Sequence, residues 1–192
     1  MTGVDVVGML LKGSFSLLDD RLGASTEEVW RGRAIPGSNK PGFILWHCAR
    51  ILDWTLNSAI RGAPEVVEAA PWRDRFPREA LAGFGISREL ADRVADETPA
   101  RDVAGYLSEV RTAAMSWFET QTDESLAAVP PLKANQPRAY LEPAVWAEIE
   151  DLDGLPVWQL LLRPAGAHIR RHAGEYDVLA EALRSGVSTL PG

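Results

Sequence analysis

Residues 156–184 read PVWQLLLRPAGAHIRRHAGEYDVLAEALR, and this stretch decides the fold. Trp158, Leu161, Ala165, His168, His172, Glu175, Leu179 and Leu183 recur at steps of three and four. That is the seam of a helix packed in a bundle. The spacing predicts a helix from about Pro156 that ends before Gly186. Pro164 lies inside it, and proline removes the hydrogen bond to the carbonyl of Leu160, so a kink is expected one turn before the histidines. His168 and His172 are four apart on one face, with Cβ atoms about 5–6 Å apart, and both take seam positions.

The same period recurs upstream. Val4, Val7, Leu11, Phe15, Leu18 and Leu22 predict a helix over 2–22, stopped at Gly23. Over 41–60, Ile44, His47, Ile51 and Trp54 form one stripe, and Leu45, Cys48, Leu52 and Leu56 an adjacent one. A helix apolar over so much of its girth is buried on several sides. Thr98-Pro99 opens a third helix over 99–121, with Val103, Tyr106, Val110, Ala114 and Trp117 inward. The prolines and glycines of 61–97 and 122–155 mark long connections, with Ser87 able to cap a short helix in the first. A connection as long as 122–155 is more often functional than not, which makes it a lid candidate. Four such helices without a strand pattern give an all-α four-helix bundle in one domain, 1–192.

Composition narrows the function classes. The 192 residues suffice for a core without staples. Lys+Arg 20 against Asp+Glu 27 gives a net charge of −7, which argues against nucleic acid as a partner. One cysteine, Cys48, excludes an intrachain disulfide and fits a reducing, cytoplasmic setting. No signal peptide opens the chain. No run approaches the ~18–20 apolar residues of a membrane span.

The chain has three histidines, His47, His168 and His172, and all three fall on apolar-periodic faces. Each needs a polar partner there. Either they form a hydrogen-bonded cluster, or one divalent ion satisfies all three and leaves room for water or substrate. Ile169, not glutamate, follows His168, so the general base of the zincin helix is missing. Glu175, three after His172, has three possible roles: outer partner of an imidazole N–H, fourth ligand, or proton shuttle. Arg50 and Arg171 each lie three after a candidate ligand and can reach a pocket mouth, where an arginine can hold a carboxylate. Trp46 and Trp54 are candidate lining residues by helical register. Asp53 reads as a surface or capping residue, and Cys48 as a small buried hydrophobe. There is no Gly-rich phosphate loop, Ser-centred elbow or paired CxxC.

Ile44-Leu45-Trp46-His47-Cys48-Ala49-Arg50 and His168-Ile169-Arg170-Arg171-His172-Ala173-Gly174-Glu175, with Gly83-Phe84-Gly85 between them, resemble the DinB/YfiT-like superfamily of metal-binding four-helix bundles. The resemblance covers essentially the whole chain. It implies an up-up-down-down bundle and a divalent ion, zinc or nickel foremost, on His47, His168 and His172. Characterised relatives include thiol-dependent S-transferases and a mycothiol-dependent maleylpyruvate isomerase, and homodimers are common. The chain departs from the family in carrying Pro164 and the long 61–86 segment. The resemblance therefore implies thiol-dependent transfer or isomerisation of a small electrophile, with a low-molecular-weight thiol as co-substrate. Metal-dependent hydrolysis and a non-enzymatic protein with a structural ion are the alternatives.

Overall fold

The structure is a computed structural model that describes residues 1–186, so the expected domain 1–192 extends past the described residues. Five helical pieces build the bundle: α1 (Gly3–Ala24), α2 (Pro41–Trp54), α3 (Ala100–Phe118), α4 (Val157–Leu162) and α5 (Ile169–Arg184). The described residues contain no strand. Nor does any described helix have the length and apolarity to cross a membrane.

Local signals set the ends. Thr2 and Asp5 close a reciprocal capping box at the start of α1. Pro41 takes the first turn of α2, where its missing N–H costs nothing. The α1 seam packs as its spacing requires, with Val7, Leu11, Phe15, Leu18 and Leu22 buried. Every residue of α2 is buried, so this helix is the axis of the domain. Through a π-helical turn, Thr55–Ala59, it continues to the end of the apolar run.

The all-helical bundle is as the periodicity predicts, but the helix directions differ from the expected up-up-down-down order. Arg21 meets Asp177 and Arg184 meets the Ala24 carbonyl, while Arg170 lies by Ser14, so α1 and α5 run parallel. Asp19 pairs with Arg111, and Asp123 caps the start of α1 through Val4 N, so α3 runs against α1. Trp30, packed against Gly42, donates its indole N–H to the Ala95 and Thr98 carbonyls, and Arg50 and Asp53 meet Tyr106, so α2 and α3 run together. The order is up-down-down-up. The connection from Ile60 to Pro99 returns the chain along the bundle before α3 starts.

The last helix also departs from a single seam. Arg163–His168 forms a π-helical turn between α4 and α5. Pro164 cannot donate to the preceding turn, and a π-turn absorbs the fault by holding an extra residue. That residue shifts the phase. Val157, Leu160 and Leu161 are buried before it, and Ile169, Ala173, Tyr176, Leu179 and Ala180 after it. Trp158, expected on the seam, is 40% exposed. His168, His172 and Glu175 each sit one position off the buried stripe, facing the side of the bundle instead of its axis.

The long connections pack against the bundle, the first of them against α2 and α3. Short 3₁₀ turns at Val66–Glu68, Trp72–Asp74 and Arg78–Ala80 precede a helix, Arg88–Glu97, which Ser87 caps. Between Gln121 and Pro156, Leu126, Leu132, Tyr140, Ile149 and Leu152 are buried against the bundle.

Candidate metal centre

His47 is held on every side. Its ring stacks on Phe43 at 5.8 Å and takes the edge of Phe84 at 6.3 Å. Its Nδ1 lies 2.6 Å from the Ala82 carbonyl oxygen. A carbonyl only accepts, so the proton is on Nδ1 and the lone pair on Nε2. The next residue, Gly83, has φ +91°, and a Cβ there would stand 2.5 Å from His47 Nδ1. Only glycine fits, which explains the first glycine of the Gly83-Phe84-Gly85 run.

The π-turn brings His168 to the same point. His168 Nε2 lies 2.9 Å from His47 Nε2. His172, one turn on, packs its ring 4.4 Å from that of His168 and 5.2 Å from that of His47. One ring nitrogen from each histidine falls within 4.8 Å of the other two. Glu175 Oε2 is 2.8 Å from His172 Nδ1. This bond holds the Glu175 carboxyl below the usual carboxylate range. It also leaves His172 with its lone pair on Nε2, where Arg171 Nη2 lies 3.3 Å away. Burial first, and the neighbouring imidazoles second, push His47 down to about 4 and His168 down to about 2. Both are therefore neutral ligands-in-waiting at pH 7. Three imidazoles whose ring nitrogens converge on one point are a donor set that fits a divalent borderline ion.

The cluster opens on a cavity of about 600 Å³. Trp54, Phe84, Arg163 and Arg171 line it, with Glu148 and Leu152 supplied by the 122–155 connection. Trp54 and Arg171 are thus beside the histidines. Trp46 is not: about 100° around α2 from His47, it lines a second cavity of about 390 Å³, across residues 81–83 from the first. Cys48 is buried, and burial pushes its thiol up, so it offers no thiolate.

Arg50 does not reach the histidine cavity either. It is buried and saturated. Nε donates to the Leu81 carbonyl at 3.0 Å, Nη1 to Asp53 and Tyr106, and Nη2 to Glu65 at 2.6 Å and Tyr140. Asp53 is fully buried, not on the surface, and its two oxygens cap the N–H groups of Val66 and Val67. Sequence reasoning missed Phe43, Phe84, Arg163, the Ala82 carbonyl and the whole Arg50 network. The paired glycines at 83 and 85 were the available signal for the loop, because two left-handed positions so close mark a backbone forced against something. Glu65, in an irregular segment, carried none.

A family model, that of the DinB superfamily, matches residues 10–151. The matched span includes His47 and its Gly83 contact and stops before His168 and His172. No curated protein matches the chain.

Proposed function

The chain belongs to the DinB superfamily, and from that premise we propose that it is a metal-dependent enzyme, a thiol-dependent S-transferase or isomerase acting on a small electrophile. His47, His168 and His172 would hold one divalent ion, zinc or nickel. The observation that carries this reading is the convergence of the three ring nitrogens at the edge of a cavity large enough for a small substrate. When bound, such an ion supplies Lewis acidity to the donor atom of a thiol or electrophile.

The chain's own residues do the rest. Ala82 and Glu175 fix the tautomers of His47 and His172, so that both lone pairs turn to one point. Burial keeps His47 and His168 neutral and available. Arg171, on the cavity wall, can hold an anionic group of the substrate, and Trp54 and Phe84 supply apolar wall. Glu148 and Leu152 form the wall supplied by the 122–155 connection. A structural ion is the rival reading, and the cavity beside the histidines weighs against it. The proposal includes a cytoplasmic homodimer.

The test has two parts. Protein purified without a polyhistidine tag should contain close to one divalent ion per chain by elemental analysis. The loaded protein is then assayed with bacterial thiols and a chlorinated aromatic or maleyl-type electrophile. Conversion of the electrophile, with the thiol consumed in transfer or returned in isomerisation, should appear in the wild type and vanish in His172→Ala. If every thiol–electrophile pair is inert with fully loaded protein, the transferase reading is lost.

A further inference from the structure

Residues 81–83 form a strap between two cavities. Leu81 lines the second cavity, behind Trp46, and Gly83 lines the histidine cavity. Two successive carbonyls of the strap are held by two side chains of α2. The Leu81 carbonyl accepts from Arg50 Nε at 3.0 Å, and the Ala82 carbonyl accepts from His47 Nδ1 at 2.6 Å. His47 and Arg50 are three apart, so they are near neighbours on the helix and grip adjacent peptide units.

The strap is not in a relaxed conformation. Leu81 has φ +47° and ψ −122°, a region that a side chain branched beyond Cβ rarely adopts. Gly83 has φ +91°. Backbone bonds close the turn from within, Gly83 N–H to the Ala80 carbonyl at 2.7 Å and Leu81 N–H to the Arg78 carbonyl at 3.2 Å, and Ala80 and Ala82 are buried beside it. The hydrogen bond from Arg50 ties the outer, Leu81 carbonyl of this turn to α2. Arg50 in turn is immobile: Asp53, Tyr106 and Glu65 take its other N–H groups within the buried interior.

We propose that Arg50 is a positioning residue for His47, acting through the strap. It holds the Leu81 peptide, and together with the Gly83 N–H to Ala80 carbonyl bond this sets where the Ala82 carbonyl points. That carbonyl keeps the His47 proton on Nδ1 and turns the Nε2 lone pair toward His168 and His172. Arg50 touches neither the cluster nor its cavity. This extends the metal reading to the residue that sets one ligand's tautomer, and one of its two measurements is independent of that reading.

The experiment uses the full chain as Arg50→Lys. Lysine keeps the positive charge facing Asp53 and Glu65 but has one head group, which cannot hold both carboxylates and the Leu81 carbonyl together. The first measurement is a long-range ¹H–¹⁵N correlation of the His47 ring in metal-free protein. The wild type should show one tautomer, protonated on Nδ1, and Arg50→Lys should show a mixture. The second is titration with cobalt(II) followed by its visible absorption, where affinity should fall about tenfold, the lower end for loss of a partner behind a ligand. Tyr140→Phe is the control, because it removes the two longest bonds of the same network, 3.4 Å to Arg50 and 3.5 Å to Glu65, without touching the strap. It should change neither reading. If Arg50→Lys does not fold, Arg50→Met with Glu65→Gln removes the cation together with a carboxylate it neutralises, and the same readings apply. A His47 ring that keeps a single Nδ1 tautomer overturns the proposal, whether or not affinity falls, because any loss is then structural. A mixed tautomer in a chain whose wild type takes up no cobalt sustains the positioning role and sinks the metal reading instead.

Discussion

Two neighbouring faces of α2 bury polar groups in opposite ways. On one side Arg50, Asp53, Glu65, Tyr106 and Tyr140 satisfy one another until no donor of Arg50 is left over. On the other, His47 spends one nitrogen on Ala82 and turns the second toward two more imidazoles. The first set is complete without a ligand. The second is arranged so that lone pairs converge, and a cavity lies alongside. Buried polarity alone therefore does not mark a site; what marks it is capacity left over after the internal partners are counted.

The largest expected effect breaks the complete side. Arg50→Met strands the buried Asp53 and Glu65 carboxylates and should cost about 3–5 kcal/mol of stability. Urea denaturation of metal-free protein checks it. A loss under about 1 kcal/mol would mean that the network is not the closed unit described here.

A second test uses pH and addresses the open side. His47 titrates near 4 in the folded chain, against about 6.5 unfolded. Below pH 6.5 the unfolded chain takes up a proton that the folded chain refuses. The contribution is therefore full above about 6.5, falls as pH drops, and is gone at about 4. His47 alone should account for about 3 kcal/mol of that fall, at roughly 1.4 kcal/mol per pH unit. His168, titrating near 2, extends the loss to lower pH. Replacing His47 with glutamine should remove its share of the slope of metal-free protein between pH 6.5 and 4, leaving the share of His168. An unchanged slope would contradict burial as the cause of the shift.

Much of the contrast between the two sides was out of reach of the sequence. The α1 seam was legible because an unbroken period of 3.6 leaves one solution. The histidines were legible because a chain with three of them, two at i, i+4, has few other uses for that pattern. The side of the helix they face was not. Pro164 signalled a fault, but whether a helix answers by kinking or by a π-turn depends on what packs around it. The π-turn moved Trp158 outward and the histidines off the stripe. Helix direction was equally hidden, since a seam has the same period read either way. Arg50 could not be separated from Arg171 in sequence, each being three after a histidine. Its partner Glu65 lies in an irregular stretch, where tertiary contacts decide everything.

His172→Ala sharpens the comparison by removing one arm of the open side only. His172 is half-buried, so metal-free stability should change little. Zinc at 100 times its dissociation constant should stabilise the wild type by about 2.7 kcal/mol and the variant by nothing. Thermal melts at pH 7.5, with and without zinc, read this directly. Equal shifts in both proteins would place the ion somewhere other than this cluster.

The smallest effect concerns Glu175, the carboxylate bonded to a histidine of the open side. Its bond to His172 Nδ1 orients one imidazole of the cluster. Glu175→Gln keeps the shape and an acceptor oxygen but removes the charge that draws the imidazole proton and makes the opposite nitrogen a better donor. Loss of such a partner weakens metal binding 10–100-fold, and here the remaining amide acceptor argues for about tenfold, or about 1.4 kcal/mol. Competition against a chelator of known affinity measures it. Glu175 is half-buried, and its lowered pKa comes first from that same bond. The weakening should therefore shrink as pH falls and the wild-type carboxylate is protonated. A variant that binds zinc as the wild type does would make the contact incidental. One that loses the ion altogether would make Glu175 a ligand, completing four protein donors and turning the open side into a closed, structural one.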